Sequence, residues 1–309
     1  MNFLRCLLVS LCALAPETGV RAADEEISLA GVIDFHCHTA PDAVARSITD
    51  FELARLAKAA GMRAIVLKNH YTMTADSAQL VMRELPGLEV YGGIALNRSV
   101  GGINAEAVRR MIAMDGHRGK VVWLPTFEAE AQVTFSKENR PFVSVVRDGR
   151  PMPELAEIFQ LIAQNDLILA TGHSSADESV ILVAAAQAAG VKRLVITHVL
   201  AESIKATPEH LAKFAAAGAI MECTWLAHLP GTGAVNVGRT LRLTECANAI
   251  KSVGAEHFLI SSDLGQAGNP THPEGLRTFI AKLKAEGLTD RDIDLLARKN
   301  PARLLGLEP

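Results

Sequence analysis

The chain has no basic runs, and its formal net charge is −3 at pH 7, which argues against nucleic acid as a partner. Past the first two dozen residues no apolar run is long enough to span a bilayer, so no membrane span is expected in the remainder. Cysteine is scarce. Of five in the chain, Cys6 and Cys12 fall in the N-terminal apolar run, and Cys37, Cys223 and Cys246 form an odd set that implies no disulfide framework. Aromatics make up only 5% of residues, while Ala, Leu, Val and Ile are plentiful and low-complexity stretches are missing. That is the composition of a helix-and-strand enzyme.

The N-terminus reads as a targeting segment. Met1 to Arg5 carry one positive charge, Cys6 to Ala15 are apolar, and Val20-Arg21-Ala22 resembles a signal-peptidase site ahead of an acidic cluster. The expectation is a signal peptide over residues 1–22 and export, to a bacterial periplasm, of one large domain over residues 23–309.

From there, short apolar runs alternate with amphipathic stretches eight times. The expected strands are Gly31–His36, Ala64–Lys68, Glu89–Leu96, Lys120–Pro125, Leu167–Thr171, Arg193–Thr197, Ala219–Cys223 and Phe258–Ser262. The expected helices are Asp50–Ala60, Ala75–Glu84, Ala105–Met114, Pro153–Gln164, Glu178–Ala189, Pro208–Ala216, Leu241–Val253 and Pro273–Ala285. Eight such units predict parallel strands with right-handed crossovers, closed as a single-domain (β/α)8 TIM barrel. An open doubly wound sheet is the alternative, but no Gly-x-Gly-x-x-Gly follows the first strand. The segment from Ala129 to Met152 interrupts the pattern, and Val143 to Arg150 within it reads as a hairpin suited to a lid.

In such a barrel the active site lies at the C-terminal ends of the strands. His36 and His38 end the first strand, and residues two apart on a strand share a face, so both imidazoles aim at one spot while Cys37 points outward. His173 ends the fifth strand, His198 the sixth and Asp263 the eighth. Four histidines and a carboxylate at one end of a barrel point to a shared metal site. His117, His210 and His257 sit at helix ends or before a strand and read as solvated; His228 and His272 lie in loops that face the site if the loops fold inward.

This pattern resembles the amidohydrolase superfamily of metal-dependent hydrolases, with His-x-His on strand one, His on strands five and six, and Asp on strand eight. Lys299 to Leu307 is similar to the closing helix of many members. The resemblance implies that His36, His38 and Asp263 hold a first divalent ion, with His173 on that ion or a second. It assigns His198 to a second ion, or to the substrate and the attacking water. Zinc is the default from His-rich ligation, with one or two ions per chain; manganese, iron and cobalt remain open. The commonest binuclear members carry a carboxylated lysine on strand four. No lysine ends strand four here, but Leu67-Lys68-Asn69-His70 ends strand two, where the D-aminoacylase branch has a bridging cysteine. Lys68 is thus a carboxylated bridge, an ammonium that binds a substrate anion, or a side chain snorkelling from the mouth.

The expected chemistry is hydrolysis of a C–N or C–O acyl bond in an amide, lactone or ester of a small molecule. Asp263 would shuttle the proton and His198 would stabilise the oxyanion. Asp34 is expected to support the ligands. Weaker substrate candidates are His70, Arg46, Arg98, Trp225 and His272, and the Gly231-Thr232-Gly233 loop is expected to shape the pocket. A non-oxidative decarboxylase or lyase on the same barrel, and a non-catalytic periplasmic binding protein, are the alternatives. Assembly stays open, with a homodimer as the ordinary expectation.

Overall fold

A computed structural model describes residues 27–230 and 240–308. Residues 1–22, expected to be a signal peptide, and the Gly231-Thr232-Gly233 loop lie outside the described residues. Eight parallel strands form one sheet in the order β1 (Ile33–Cys37), β2 (Ala64–Leu67), β3 (Glu89–Ala95), β4 (Gly119–Trp123), β7 (Ile168–Ala170), β8 (Arg193–Ile196), β9 (Ile220–Thr224) and β10 (Phe258–Ser261). The first and last strands meet through backbone bonds from Asp263 N to His36 O and from His38 N to Leu264 O, both 2.9 Å. The fold is a (β/α)8 barrel, as the strand–helix alternation requires.

Each expected strand and helix is present, with ends shifted by a residue or two. The helices that follow the barrel strands include α1 (Asp50–Ala59), α2 (Ala75–Glu84), α3 (Ala105–Ala113), α5 (Leu155–Gln164), α6 (Ala176–Ala188), α7 (Pro208–Ala216), α8 (Leu243–Val253) and α9 (His272–Ala285). The interruption after β4 holds a helix the periodicity did not reveal, α4 (Glu130–Ser136), too short to show an amphipathic repeat. It also holds a two-stranded hairpin, β5 (Val146–Arg147) with β6 (Arg150–Pro151). Asp148 and Gly149 at its turn have φ of 51° and 70°, the paired left-handed geometry that matches the twist of a tight hairpin. The hairpin rests on α6.

Two apolar layers follow from the alternation of side chains along each strand. The barrel interior is filled by Ile33, Phe35, Val66, Val121, Trp123, Ile168, Val195 and Leu259. Its lower end meets Ala302, Leu304 and Leu305 of the closing helix, Asn300–Leu305. Asn300 secures that helix by donating to the carbonyls of Ala255 (2.9 Å) and Phe258 (2.6 Å). The layer between strands and helices contains Cys37. A register shift between Asp34 and Cys37 lets Ile33 and Phe35 fill the interior below while His36 and His38 turn into the mouth above.

Candidate metal centre

Above the apolar interior, the strand ends deliver ionisable side chains in place of hydrocarbon. His36 Nε2 lies 3.2 Å from His38 Nε2, 3.0 Å from Asp263 Oδ1 and 3.0 Å from Lys68 Nζ. Asp263 Oδ1 is also 3.1 Å from His38 Nε2, and its Oδ2 is 3.6 Å from His198 Nε2. The rings of His173 and His198 lie edge to face at 5.3 Å. Seven of the expected residues, His36, His38, Lys68, His70, His173, His198 and Asp263, therefore share one mouth, each nine-tenths or more buried.

The backbone is shaped to aim them. Gly172 has φ of 62°, and a Cβ there would stand 2.3 Å from the Leu124 carbonyl oxygen; only glycine allows β7 to turn so sharply and present His173. His198 and Asp263 themselves adopt φ of 50° and 54°. Left-handed backbone is uncommon for side chains other than glycine and clusters at functional sites.

Hydrogen bonds orient the imidazoles. His38 Nδ1 faces the Lys68 carbonyl oxygen at 3.0 Å; a carbonyl only accepts, so Nδ1 carries the proton and Nε2 turns a lone pair to the centre. Asn97 accepts from Thr126 N (2.9 Å) through its Oδ1 and donates its Nδ2 to Thr126 Oγ1 at 2.7 Å. The Thr126 hydroxyl, so held, meets His70 Nδ1 at 2.8 Å, a bond that a hydroxyl can give or take because it keeps a second lone pair. That bond fixes the plane of the His70 ring, which is sandwiched between the rings of Phe127 (3.7 Å) and His38 (4.6 Å).

Electrostatics in this dry mouth pull in both directions. Burial lowers the basicity of His38, His70 and His173 well below the usual imidazole range and that of His198 to about 4. Burial also works against a charged His36, but Asp263 and Glu222 beside it raise it. Lys68 is pushed down to about 8 by burial, partly offset by Asp263 and Glu222. Asp263 resists burial because His36 and His198 hold its carboxyl well below the usual range. Asp34, at the junction of β1 and β10, accepts from Ser262 N at 2.9 Å and is raised to about 6 by burial.

These residues fit a divalent cation. His36, His38 and Asp263 present ligand atoms within 4.8 Å of one another, as do His36, His198 and Glu222. Neither ring nitrogen of buried His173 has a partner. Unpaired polar atoms in a buried site are costly, and a bound cation meets that cost.

The weaker candidates divide. The Arg46 side chain is buried, bonded to Asp42 at 2.6 Å, with its guanidinium 3.4 Å from His38 Nδ1; it lies at the centre's edge with its charge already paired. Arg98 stands half exposed, 3.8 Å from Glu128. Trp225 is packed in the strand–helix layer against Phe279 (5.4 Å) and His228 (5.8 Å), away from the mouth it was expected to shape. His272 opens α9 and is buried against the backbone of His38 and Leu264, behind the centre. Glu222, on β9, is the functional candidate that the sequence reading passed over. Its signal was there: a lone carboxylate inside the apolar run Ala219–Cys223. Its Oε1 faces His36 Nδ1 at 3.1 Å and accepts from Ser261 Oγ at 2.7 Å.

Solved structures share the fold. The organophosphorus hydrolase of Deinococcus radiodurans aligns over 90% of this chain and 93% of its own, with a TM-score of 0.60 and 17% identity. A variant of a PTE-like lactonase from Deinococcus radiodurans aligns over 90% and 96%, with a TM-score of 0.59 and 17% identity. A Pseudomonas putida protein provisionally assigned as a 2-pyrone-4,6-dicarboxylic acid hydrolase aligns over 92% and 100%, at 0.58 and 15%. No curated protein matches by sequence. Residues 31–222, more than half of the chain and the part that carries His36, His38, Lys68, His173, His198 and Glu222, match the family of unknown function DUF6282, and the chain belongs to that family.

Proposed function

We propose that the protein is a metal-dependent hydrolase of the amidohydrolase superfamily, cleaving a C–N or C–O acyl bond in an amide, ester or lactone of a small molecule. The observation that carries this reading is the convergence of His36 Nε2, His38 Nε2 and Asp263 Oδ1 within 3.2 Å of one another, with His173 unpaired beside them. Hydrolases on the same fold support it by analogy. His36, His38 and Asp263 would hold one ion, zinc by ligand type, with His173, His198 and Lys68 available to a second. Such an ion lowers the pKa of water toward neutrality and polarises a carbonyl.

The chain's own groups then divide the work. Asp263 Oδ1 is engaged by two imidazoles, whereas Oδ2 has only His198 at 3.6 Å; Oδ2 is the atom that takes the proton from the attacking water and returns it to the leaving group. His198 and His70 face the charge that develops on the substrate oxygen. Lys68, near 8, has an appreciable neutral fraction at neutral pH, the form that combines with carbon dioxide to give a carbamate and a proton. Left protonated, it is an anchor for a substrate anion. Export with removal of residues 1–22 and assembly as a homodimer complete the proposal.

The test is metal content per chain by elemental mass spectrometry after expression with bicarbonate, followed by turnover on a panel of amides, esters and lactones. Two ions, one lost in Lys68→Ala, with turnover on the panel, support a Lys68 bridge. One ion with carbon dioxide as product replaces hydrolysis by non-oxidative decarboxylation. No ion in any preparation ends the metal reading.

A further inference from the structure

We infer that Glu222 is a positioning residue that holds His36 with a proton on Nδ1, so that Nε2 is the ring nitrogen presented to a cation in the metal centre. The inference rests on the hydrolase reading only for what Nε2 meets; the hydrogen bond itself does not depend on it.

Glu222 is the third residue of β9 and 1% exposed. A carboxylate in a barrel interior is costly to desolvate unless charge and hydrogen bonds replace the water. His36 and Ser261 replace it. A carboxylate only accepts, so the 3.1 Å approach of Oε1 to His36 Nδ1 requires the proton to sit on that nitrogen. The opposite ring nitrogen then faces His38 Nε2, Asp263 Oδ1 and Lys68 Nζ, all within 3.2 Å.

The two histidines of β1 solve the same problem with different acceptors. His38 gives its Nδ1 proton to a neutral carbonyl, that of Lys68 at 3.0 Å; His36 gives its proton to a full negative charge. A carboxylate partner raises the electron density on the far nitrogen more than a carbonyl does, making His36 the stronger of the two donors to a cation.

The rival role is direct ligation by Glu222 together with His36 and His198, whose ligand atoms lie within 4.8 Å of its own. Its Oε1 is already occupied by Ser261 Oγ at 2.7 Å as well as by His36, which favours the positioning role. Its Oε2 has no partner and is the atom that the rival role would use.

The experiment compares the full chain with Glu222→Gln and Glu222→Ala, using histidine ring 15N NMR without added metal and zinc affinity by chelator competition. The expected result is a protected proton on His36 Nδ1 in the parent chain and in Glu222→Gln, but not in Glu222→Ala. Zinc stoichiometry should stay unchanged at saturation, with affinity roughly 10–100-fold weaker in Glu222→Ala and an intermediate loss in Glu222→Gln. A His36 Nδ1 proton equally protected in Glu222→Ala overturns the inference. So does loss of a whole zinc equivalent at saturation, which makes Glu222 a ligand. Should Glu222→Ala fail to fold, Glu222→Gln decides alone: parent-like zinc affinity overturns the role of the charge. A parent chain that takes up no zinc but shows the protected, Glu222-dependent proton would end the hydrolase reading and leave the positioning role standing.

Discussion

The lower and upper halves of the barrel are equally shielded from water, yet they are built from opposite materials. Below, Phe35, Val66, Val121, Ile168 and Leu259 fill the interior with hydrocarbon, and each buried group adds to stability. Above, toward the C-terminal ends of the strands, His36, His38, Lys68, His173, His198, Glu222 and Asp263 are buried at a cost in solvation. The lower half can carry the upper because both hang on one closed set of backbone bonds. Stability is concentrated where the strands begin, and chemistry where they end.

The sharpest way to break this division is Asp263→Asn. Loss of the proton carrier is expected to lower kcat by about 10²–10⁴-fold, while elemental analysis finds most of the metal retained and denaturant melts show the fold intact. Parent-like turnover would remove Asp263 from the proton pathway. The converse change is Phe35→Ala, 1% exposed in the lower half. It should destabilise the fold by about 3–5 kcal/mol in urea titrations with metal stoichiometry unchanged; a matching fall in metal content would mean the halves are not separable.

Acid should find the upper half first. His272 and His198 are both lowered to about 4 by burial. Between their ordinary value of 6.5 and about 4, the unfolded chain binds protons that the folded chain refuses, so stability falls as pH falls through that window. Each contributes up to about 1.4 kcal/mol per pH unit. Urea midpoints at pH 7.5, 6 and 5 measure the slope, and His272→Gln should flatten it; an unchanged slope would place the acid sensitivity elsewhere. The smallest effect is expected outside both halves, at Ser175, which caps α6 two residues after His173. Ser175→Ala should cost about 1 kcal/mol of stability and leave zinc affinity alone. A large fall in affinity would show that the cap positions His173.

Most of the fold was legible because period-2 and period-3.6 patterns alternate eight times, and each period commits its segment to one geometry. The site was legible where a polar residue ended an apolar run, as at His173, His198 and Asp263. Trp225 follows the same rule of position, yet the structure turns it into the strand–helix layer. Position along a strand does not say which way the residue after it will face. Glu222 escaped notice for the opposite reason, since it lies inside a strand and not at its end.

The sequence by itself determined the barrel, the order of its elements and the set of side chains delivered to one end, because hydrophobic periodicity and strand alternation are local properties. Only the tertiary structure decided which of those side chains meet. Asn97, Thr126 and His70, or Ser261, Glu222 and His36, come from segments far apart in the chain, and their hydrogen bonds orient the imidazoles. Those contacts depend on barrel closure and on a register shift in β1, which no single segment encodes.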